Sequence, residues 1–221
     1  MYLFVLTKLY YNPNPRIFIM YKLYGFPFSQ HSRRVVSLLE EAGLEYEFKI
    51  VNMMSGEHMS PDYLAINPNH QVPTLIADNI KLHESNAILR YICNKHNLNT
   101  WYPQDIKQRA NVDQWLDWIQ CRMSPAVLGI VLNKMFMGDD ADLDAIRLGQ
   151  EKMTELSPIL EIALTDSQYI VGNKPTIADL ALVSNIFHLG LADEMPTGES
   201  TRRWYESMLK MDGVKKSLPE M

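Results

Sequence analysis

Two hydrophobic periodicities divide this sequence. Between residues 20 and 97 the apolar positions switch back and forth between a period of two and a period near 3.6. Beyond residue 105 only the helical period persists. "YKLYG" (Tyr21–Gly25) alternates and stops at glycine, which predicts a strand. "SRRVVSLLEEAG" sets Val35, Val36, Leu38, Leu39 and Ala42 on one helical stripe, closed by Gly43 as C-terminal cap. "YEFKIV" alternates again. "SPDYLAIN" predicts a short helix capped by Ser60 with Pro61 in its first turn. "VPTLIA" and "IKLH" predict two strands joined across "DN", a link short enough only for an antiparallel hairpin. From Glu84, "ESNAILRYICNKH" predicts a helix with its basic residues late. The order is strand, helix, strand, helix, strand, strand, helix, which is one mixed α/β domain over residues 20–97.

"NLNTWYPQD" interrupts the pattern, so residues 98–105 read as a linker, and residues 106–221 read as all helix. The first helix there, near Ile106 to Leu132, carries Val112, Trp115, Leu116, Ile119 and Met123 as its stripe. "GDDAD" separates it from a second, in which Pro158 is expected to kink or split the helix. "TIADLALVSNIF" has Thr176 and Asp179 at capping-box spacing, and "STRRWYESMLKM" is a further amphipathic helix. Residues 1–19 begin apolar, but Lys8 interrupts the run and no small-residue cleavage site follows. They read as an extension, disordered or the product of upstream translation.

Composition changes this picture little. At 221 residues, 47% apolar and 21% charged, the chain is ordinary for a globular protein. A net charge of -5 argues against a nucleic-acid surface, and no apolar run is long enough to span a membrane. Cys93 and Cys121 form no CxxC pair and lie in helical patterns. They read as buried reduced thiols, which points to the cytosol. The six histidines show no metal-ligand spacing, so no metal is expected.

Three stretches could do chemistry. In "GFPFSQHSRR", Ser29 lies where a coil becomes a helix, a place that favours an anion and would hold a thiol as thiolate. Ser32 is the competing hydroxyl, read most simply as the cap of that helix. In "NHQVPTL", a cis Val72–Pro73 bond would leave the N–H and C=O of Val72 free to pair with a ligand backbone. A trans proline that merely opens a strand is the plainer alternative. In "LHESNAI", a strand runs straight into a helix, where Ser85 can cap the helix and Glu84 can receive an ammonium. An α-amino acid head would satisfy both.

"SQHSRRV", "GEHMSPDYLAINPNHQVPTL", "LHESNAILRYI" and "VGNKPTIADLAL", in this order and spacing, resemble the cytosolic glutathione transferase family, in particular its serine-type phi- and theta-like classes and bacterial members. The resemblance covers nearly all of residues 20–221. It implies an α/β thioredoxin-like N-terminal domain plus an all-α C-terminal domain, and a homodimer in the cytoplasm with glutathione as co-substrate. It implies that Ser29 is catalytic and holds the cysteinyl thiolate. Gln71, Val72 and Pro73 would hold the peptide, Glu84 and Ser85 the γ-glutamyl head, and His58 the glycyl carboxylate. Tyr24 stands near the hydroxyl position of the tyrosine classes. Where the family often has a lysine and a glycine, this chain has Met59 and His70. The second substrate, a small hydrophobic electrophile, is expected between Phe26, Phe28 and the first helix of the second domain, touching Trp118 and Arg122. The implied activity is thiolate attack on that electrophile, by conjugation, dehalogenation, isomerisation or peroxide reduction. The alternatives are a non-catalytic glutathione-binding or regulatory protein of the same fold, or a glutathione-dependent thiol reductase.

Overall fold

A computed structural model describes residues 21–220; the expected extension, residues 1–19, lies outside them. Strand β1 (Tyr21–Gly25) is central because it buries Tyr21, Leu23 and Gly25 while Lys22 faces out. It pairs in parallel with β2 (Tyr46–Ile50), Leu23 opposite Phe48, and antiparallel with β3 (Thr74–Ala77), Leu23 opposite Leu75. β4 (Ile80–His83) closes the edge through the expected hairpin, giving the order β2-β1-β3-β4. The parallel pair needs a crossover, which α1 (Gln30–Glu41) supplies. α2 (Pro61–Leu64) starts at Ser60, whose hydroxyl accepts from the N–H of Tyr63. α3 (Ser85–His96) follows β4 directly and ends on Asn97 in the left-handed region.

The remaining chain is helical. α4 (Ile106–Trp118) runs through a π turn (Ile119–Met123) into α5 (Ser124–Met135), one continuous rod where one regular helix was expected. The wider i→i+5 turn shifts the face that follows it. Cys121 and Arg122, both within this turn, are exposed, so the expectation of two buried thiols holds only for Cys93. Burial pushes the Cys93 thiol up to about 12.

α6 (Leu143–Thr165) is unbroken and contains Pro158. The expected split does not occur, because Pro158 lies on the exposed side and the carbonyl it leaves without a helical donor can face water. α7 (Ile177–Leu191) is buried along most of its length and forms the axis of this half. α8 (Glu199–Met208) and α9 (Asp212–Lys216) follow. α9 packs tightly on α1: a side chain at Gly213 would begin 2.5 Å from the carbonyl oxygen of Ser37.

Two carboxylates organise helix starts. Asp179, fully buried, accepts from the backbone N–H of Thr176 (2.8 Å) and Ile170 (2.9 Å) and from Trp204 Nε1 (2.9 Å), which completes the expected capping box and ties α7 to α8. Glu161 on α6 reaches the start of α8, accepting from the N–H of Ser200 (2.7 Å) and of Thr201 (3.0 Å). Burial raises its carboxyl pKa, but these hydrogen bonds outweigh burial and hold it at about 2.

A carboxyl whose folded pKa is depressed contributes stability above its unfolded value, and that contribution fades as pH falls towards the folded value. Glu161→Gln is therefore expected to be less stable than wild type at neutral pH. The gap should close between about pH 4.3, the unfolded glutamate value, and about pH 2. Urea unfolding of both proteins across this range checks it, and a gap independent of pH would show that the charge of Glu161 is not what caps α8.

Candidate functional site

β1 hands its chain to α1 through Phe26–Ser29, and two reciprocal hydrogen bonds shape this turn. Ser29 is the helix cap: its Oγ accepts from the N–H of Ser32 at 3.2 Å. Ser32 Oγ in turn accepts from the N–H of Phe26 at 3.2 Å. Ser32 is thus not the cap, as expected from sequence, but the third helical residue, 1% exposed and turned inward. Ser29 is only half-buried, and having accepted its bond from the helix it keeps its own proton to donate. Tyr24, the other hydroxyl considered, packs its ring on Tyr63 at 6.2 Å and lines neither cavity described below.

Two adjoining cavities open here. The first, about 150 Å³, is lined by Gln71, Val72, Pro73, Glu84 and Ser85, five residues the sequence singled out. His31, Asn67, His83 and Gln120 complete much of its wall. The Val72–Pro73 bond is cis, and Val72 precedes β3. Glu84 has φ +67° and caps α3 without a side-chain bond to it, so its carboxylate stays exposed, 3.8 Å from His83 Nδ1. Ser85 is therefore the first helical residue and not the cap. No acidic residue occupies the first turn of α1 or its cap, so that helix start keeps its full attraction for anions, whereas the start of α3 has the carboxylate of Glu84 at its cap.

Behind these helix starts stand two buried arginines with no carboxylate partner among the described residues. Arg33 Nη2 donates to the carbonyl of Ser184 at 2.8 Å and its guanidinium lies 4.1 Å from the centroid of the Phe187 ring. Arg34, 0% exposed, donates to Asn86 Oδ1 at 3.0 Å, and Asn86 donates to the carbonyl of Leu116. Burial pushes each guanidinium down to about 9. Both are still cations at neutral pH and add positive potential below the cavities.

The second cavity, about 180 Å³, is mostly apolar. Phe26, Phe28 and Ser29 line it together with Met53, Leu128, Leu132 and Phe136, and His31, Gln71 and Val72 are shared with the first cavity. Phe28 meets Phe136 edge-on at 6.2 Å. Trp118 and Arg122 do not line it: Trp118 packs on Trp115 at 5.2 Å, and Arg122 sits exposed in the π turn. The expectation assumed a regular helix that would keep these two residues on one face. α5 supplies the wall instead, through Leu128, Leu132 and Phe136 at spacing i, i+4, i+8. That second apolar row beside the buried Val127, Ile130 and Val131 was the available sequence signal, together with Met53 and Met54 after β2.

His58 is the peptide-holding candidate that lines neither cavity. It lies in a short 3₁₀ turn beside His70, with ring centroids 6.5 Å apart. His70 takes φ +48°, a left-handed conformation that suits glycine, so the turn keeps its shape with a strained residue in it. Asn67, 0% exposed, holds this turn: its Nδ2 donates to the carbonyl of Gln71 (2.9 Å) and to Thr74 Oγ1 (3.0 Å), and its Oδ1 accepts from the N–H of Asn69 (3.0 Å). Tyr63 OH also donates to the carbonyl of Gln71, at 2.6 Å. Among the described residues no group of three His, Cys, Asp or Glu side chains could hold a metal, and no helix is long and apolar enough to cross a membrane.

Known proteins resemble this chain in both of its halves. Family models for the glutathione S-transferase N-terminal domain and C-terminal domain match residues 20–94 and 125–202. Glutathione S-transferase F10 of Arabidopsis thaliana is 36% identical over 160 residues, covering 70% of this chain and 74% of the relative. The crystal structure of poplar glutathione transferase F1 superposes with a TM-score of 0.84 at 28% identity, covering 90% of this chain and 96% of that one. A glutathione transferase homologue from Drosophila mojavensis, solved with bound glutathione, gives 0.81 at 27% identity over 90% of this chain and 94% of that one.

The Asn67 network sets the position of Gln71 and Val72 in both cavities. Asn67→Ala is expected to cost roughly 2–3 kcal/mol, the usual size for stranding buried donors and acceptors. That corresponds to a fall in Tm of about 5–10 °C for a chain of this size. A calorimetric shift near zero would show that the turn holds itself without this side chain.

Proposed function

The chain belongs to the glutathione S-transferase family and is a glutathione transferase, and within that activity we propose that Ser29 holds the glutathione sulfur as a thiolate. The observation that carries this reading is the bond from the N–H of Ser32 to Ser29 Oγ, which leaves the seryl proton to donate into the second cavity, whose wall shares His31, Gln71 and Val72 with the first. The tripeptide occupies the first cavity. Its γ-glutamyl ammonium meets the exposed carboxylate of Glu84, its α-carboxylate meets Ser85 and the start of α3, and its cysteinyl backbone pairs with Val72. Gln71 and Pro73, on either side of Val72 in the chain, line the same cavity. His58 lines neither cavity, and the resemblance alone sets it near the glycyl end.

The thiol of a free cysteine ionises near pH 8.5, and a helix N-terminus or nearby cation lowers this to roughly 3.5–7.5. Here the start of α1, the hydroxyl of Ser29 and the unpaired Arg33 and Arg34 all favour the anion. Each tenfold gain in thiol acidity is worth about 1.4 kcal/mol in favour of the thiolate. The proton leaves to solvent, and the sulfur attacks an electrophilic carbon of a compound held in the second cavity against Phe26, Phe28 and α5. Holding both reactants in adjoining cavities supplies proximity as well as charge stabilisation. A thiol reductase would need a cysteine in place of Ser29, and a non-catalytic binder would not need an oriented hydroxyl there. A cytosolic homodimer belongs to the same proposal, with exposed apolar side chains such as Ile80 and Ile106 available to a second copy.

Ser29→Ala is expected to lower kcat/KM roughly 10- to 1000-fold, as for loss of one oriented donor. The apparent pKa of bound glutathione, read from thiolate absorbance, should rise with it. Loss of the cap also costs about 1 kcal/mol of stability, so the ionisation measurement and not activity alone decides. An unaltered thiol pKa would remove Ser29 from this role.

A further inference from the structure

The second cavity is largely apolar, yet two of the side chains that line it carry polar atoms without partners. Gln30 is 2% exposed and His188 is 5% exposed. Neither Nε2 nor Oε1 of Gln30 has a hydrogen-bond partner, and neither does Nδ1 of His188. The two come from different elements, the first residue of α1 and the last turn of α7, and both line the cavity beside Ser29. Buried polar side-chain atoms are partnered in the large majority of cases. Two unpartnered side chains converging on one cavity mark a place where a ligand supplies the partner.

The charge of the wall says which kind of ligand. No Asp or Glu lines this cavity. Burial, and then the Arg33 guanidinium, pushes the His188 imidazole down to about 3. Burial, then Arg34 and His188, takes His31 well below its ordinary value. Both rings are neutral near pH 7, each with one N–H to donate. Amide and imidazole donors in front of two unpaired guanidinium groups suit an oxygen on which negative charge grows during reaction.

We propose that Gln30 and His188 form an oxygen-binding subsite for the second substrate, so that this enzyme selects α,β-unsaturated carbonyl compounds over electrophiles activated only by a halide leaving group. The proposal rests on the thiolate reading of Ser29. The thiolate sulfur bonds to the β-carbon, the C=C electron pair moves to the bond between the α-carbon and the carbonyl carbon, and the carbonyl pair moves onto oxygen. Gln30 Nε2 and the ring N–H of His188 donate to that enolate oxygen. Water then delivers to the α-carbon a proton equal to the one the thiol released, so the net change is addition of the thiol across C=C. Halide displacement places charge on the departing halide and on no oxygen, so it gains far less from these donors.

The test uses the full chain with glutathione and two electrophiles, a medium-chain 2-alkenal and benzyl chloride. The measured quantity is the ratio of their kcat/KM values. Gln30→Leu and His188→Leu are each expected to lower this ratio about 10- to 100-fold, mainly through kcat on the alkenal. His188→Gln, which keeps a donor, should recover most of the loss. A ratio that stays put in both leucine variants, or parallel loss on both substrates, overturns the subsite. A second measurement needs no variant: a glutathione conjugate bearing a 3-oxoalkyl group should inhibit wild type at least about tenfold more tightly than the matching S-alkyl conjugate, and equal inhibition also overturns it. If wild type ionises glutathione and turns over benzyl chloride while these comparisons fail, only the subsite is wrong. If wild type does not ionise glutathione, the reading of Ser29 is wrong.

Discussion

The N–H of Ser32 donates to Ser29 Oγ over 3.2 Å, and Ser32 Oγ accepts from Phe26 in return. A seryl oxygen has two acceptor sites and one proton. With the helix occupying one acceptor site, the proton and the second acceptor site remain, and an anion outside can take only the proton. The same two bonds fix the path of Phe26 to Ser29, and with it the aromatic wall of the second cavity. The start of α1 cannot relax to suit a ligand, because the helix is buried from Ser32 to Leu39 and α9 closes on its far side. The hydroxyl of Ser29 is therefore placed by the core of the protein, not by a loop.

Burying Arg33 and Arg34 without carboxylates is unfavourable on its own terms. Removing a cation from water costs several kcal/mol, and each guanidinium recovers only part of that through one hydrogen bond to a carbonyl or an amide oxygen. Arg34 leaves two of its nitrogens without partners. The result is positive potential under two helix starts whose first turns contain no acidic residue. A thiolate or a ligand carboxylate arriving there completes a charge arrangement that the folded chain leaves open, in keeping with strain and unpaired charge collecting where function is carried.

Much of this was readable from residue order. The alternation in "YKLYG" and the two short strands across "DN" specified a mixed sheet, since both depend on a period of two and on a link too short for a crossover. Ser29, Gln71, Val72, Pro73, Glu84 and Ser85 stand out because each sits at a junction between elements, where free backbone groups collect. What escaped was set by contacts distant in sequence or by small changes in helix register. His188 joins the site from about 160 residues away from Ser29, and no local pattern marks it. Ser29 and Ser32 satisfy the same capping rule, and only the path of Phe26 decides between them. The expected place of Trp118 and Arg122 rests on 3.6 residues per turn throughout.

That regularity fails at Ile119–Met123, where five residues form a π turn between α4 and α5. The orientation of Leu128, Leu132 and Phe136 toward the second cavity is inherited from this one irregular turn. Deleting a residue from the regular helix that follows it would swing everything downstream by roughly 100° about its axis, with no wide turn to absorb the change, carrying the apolar row away from Ser29. Nature or an engineer could thus exchange one set of acceptable compounds for another by altering length instead of side-chain identity, leaving the glutathione half of the molecule untouched.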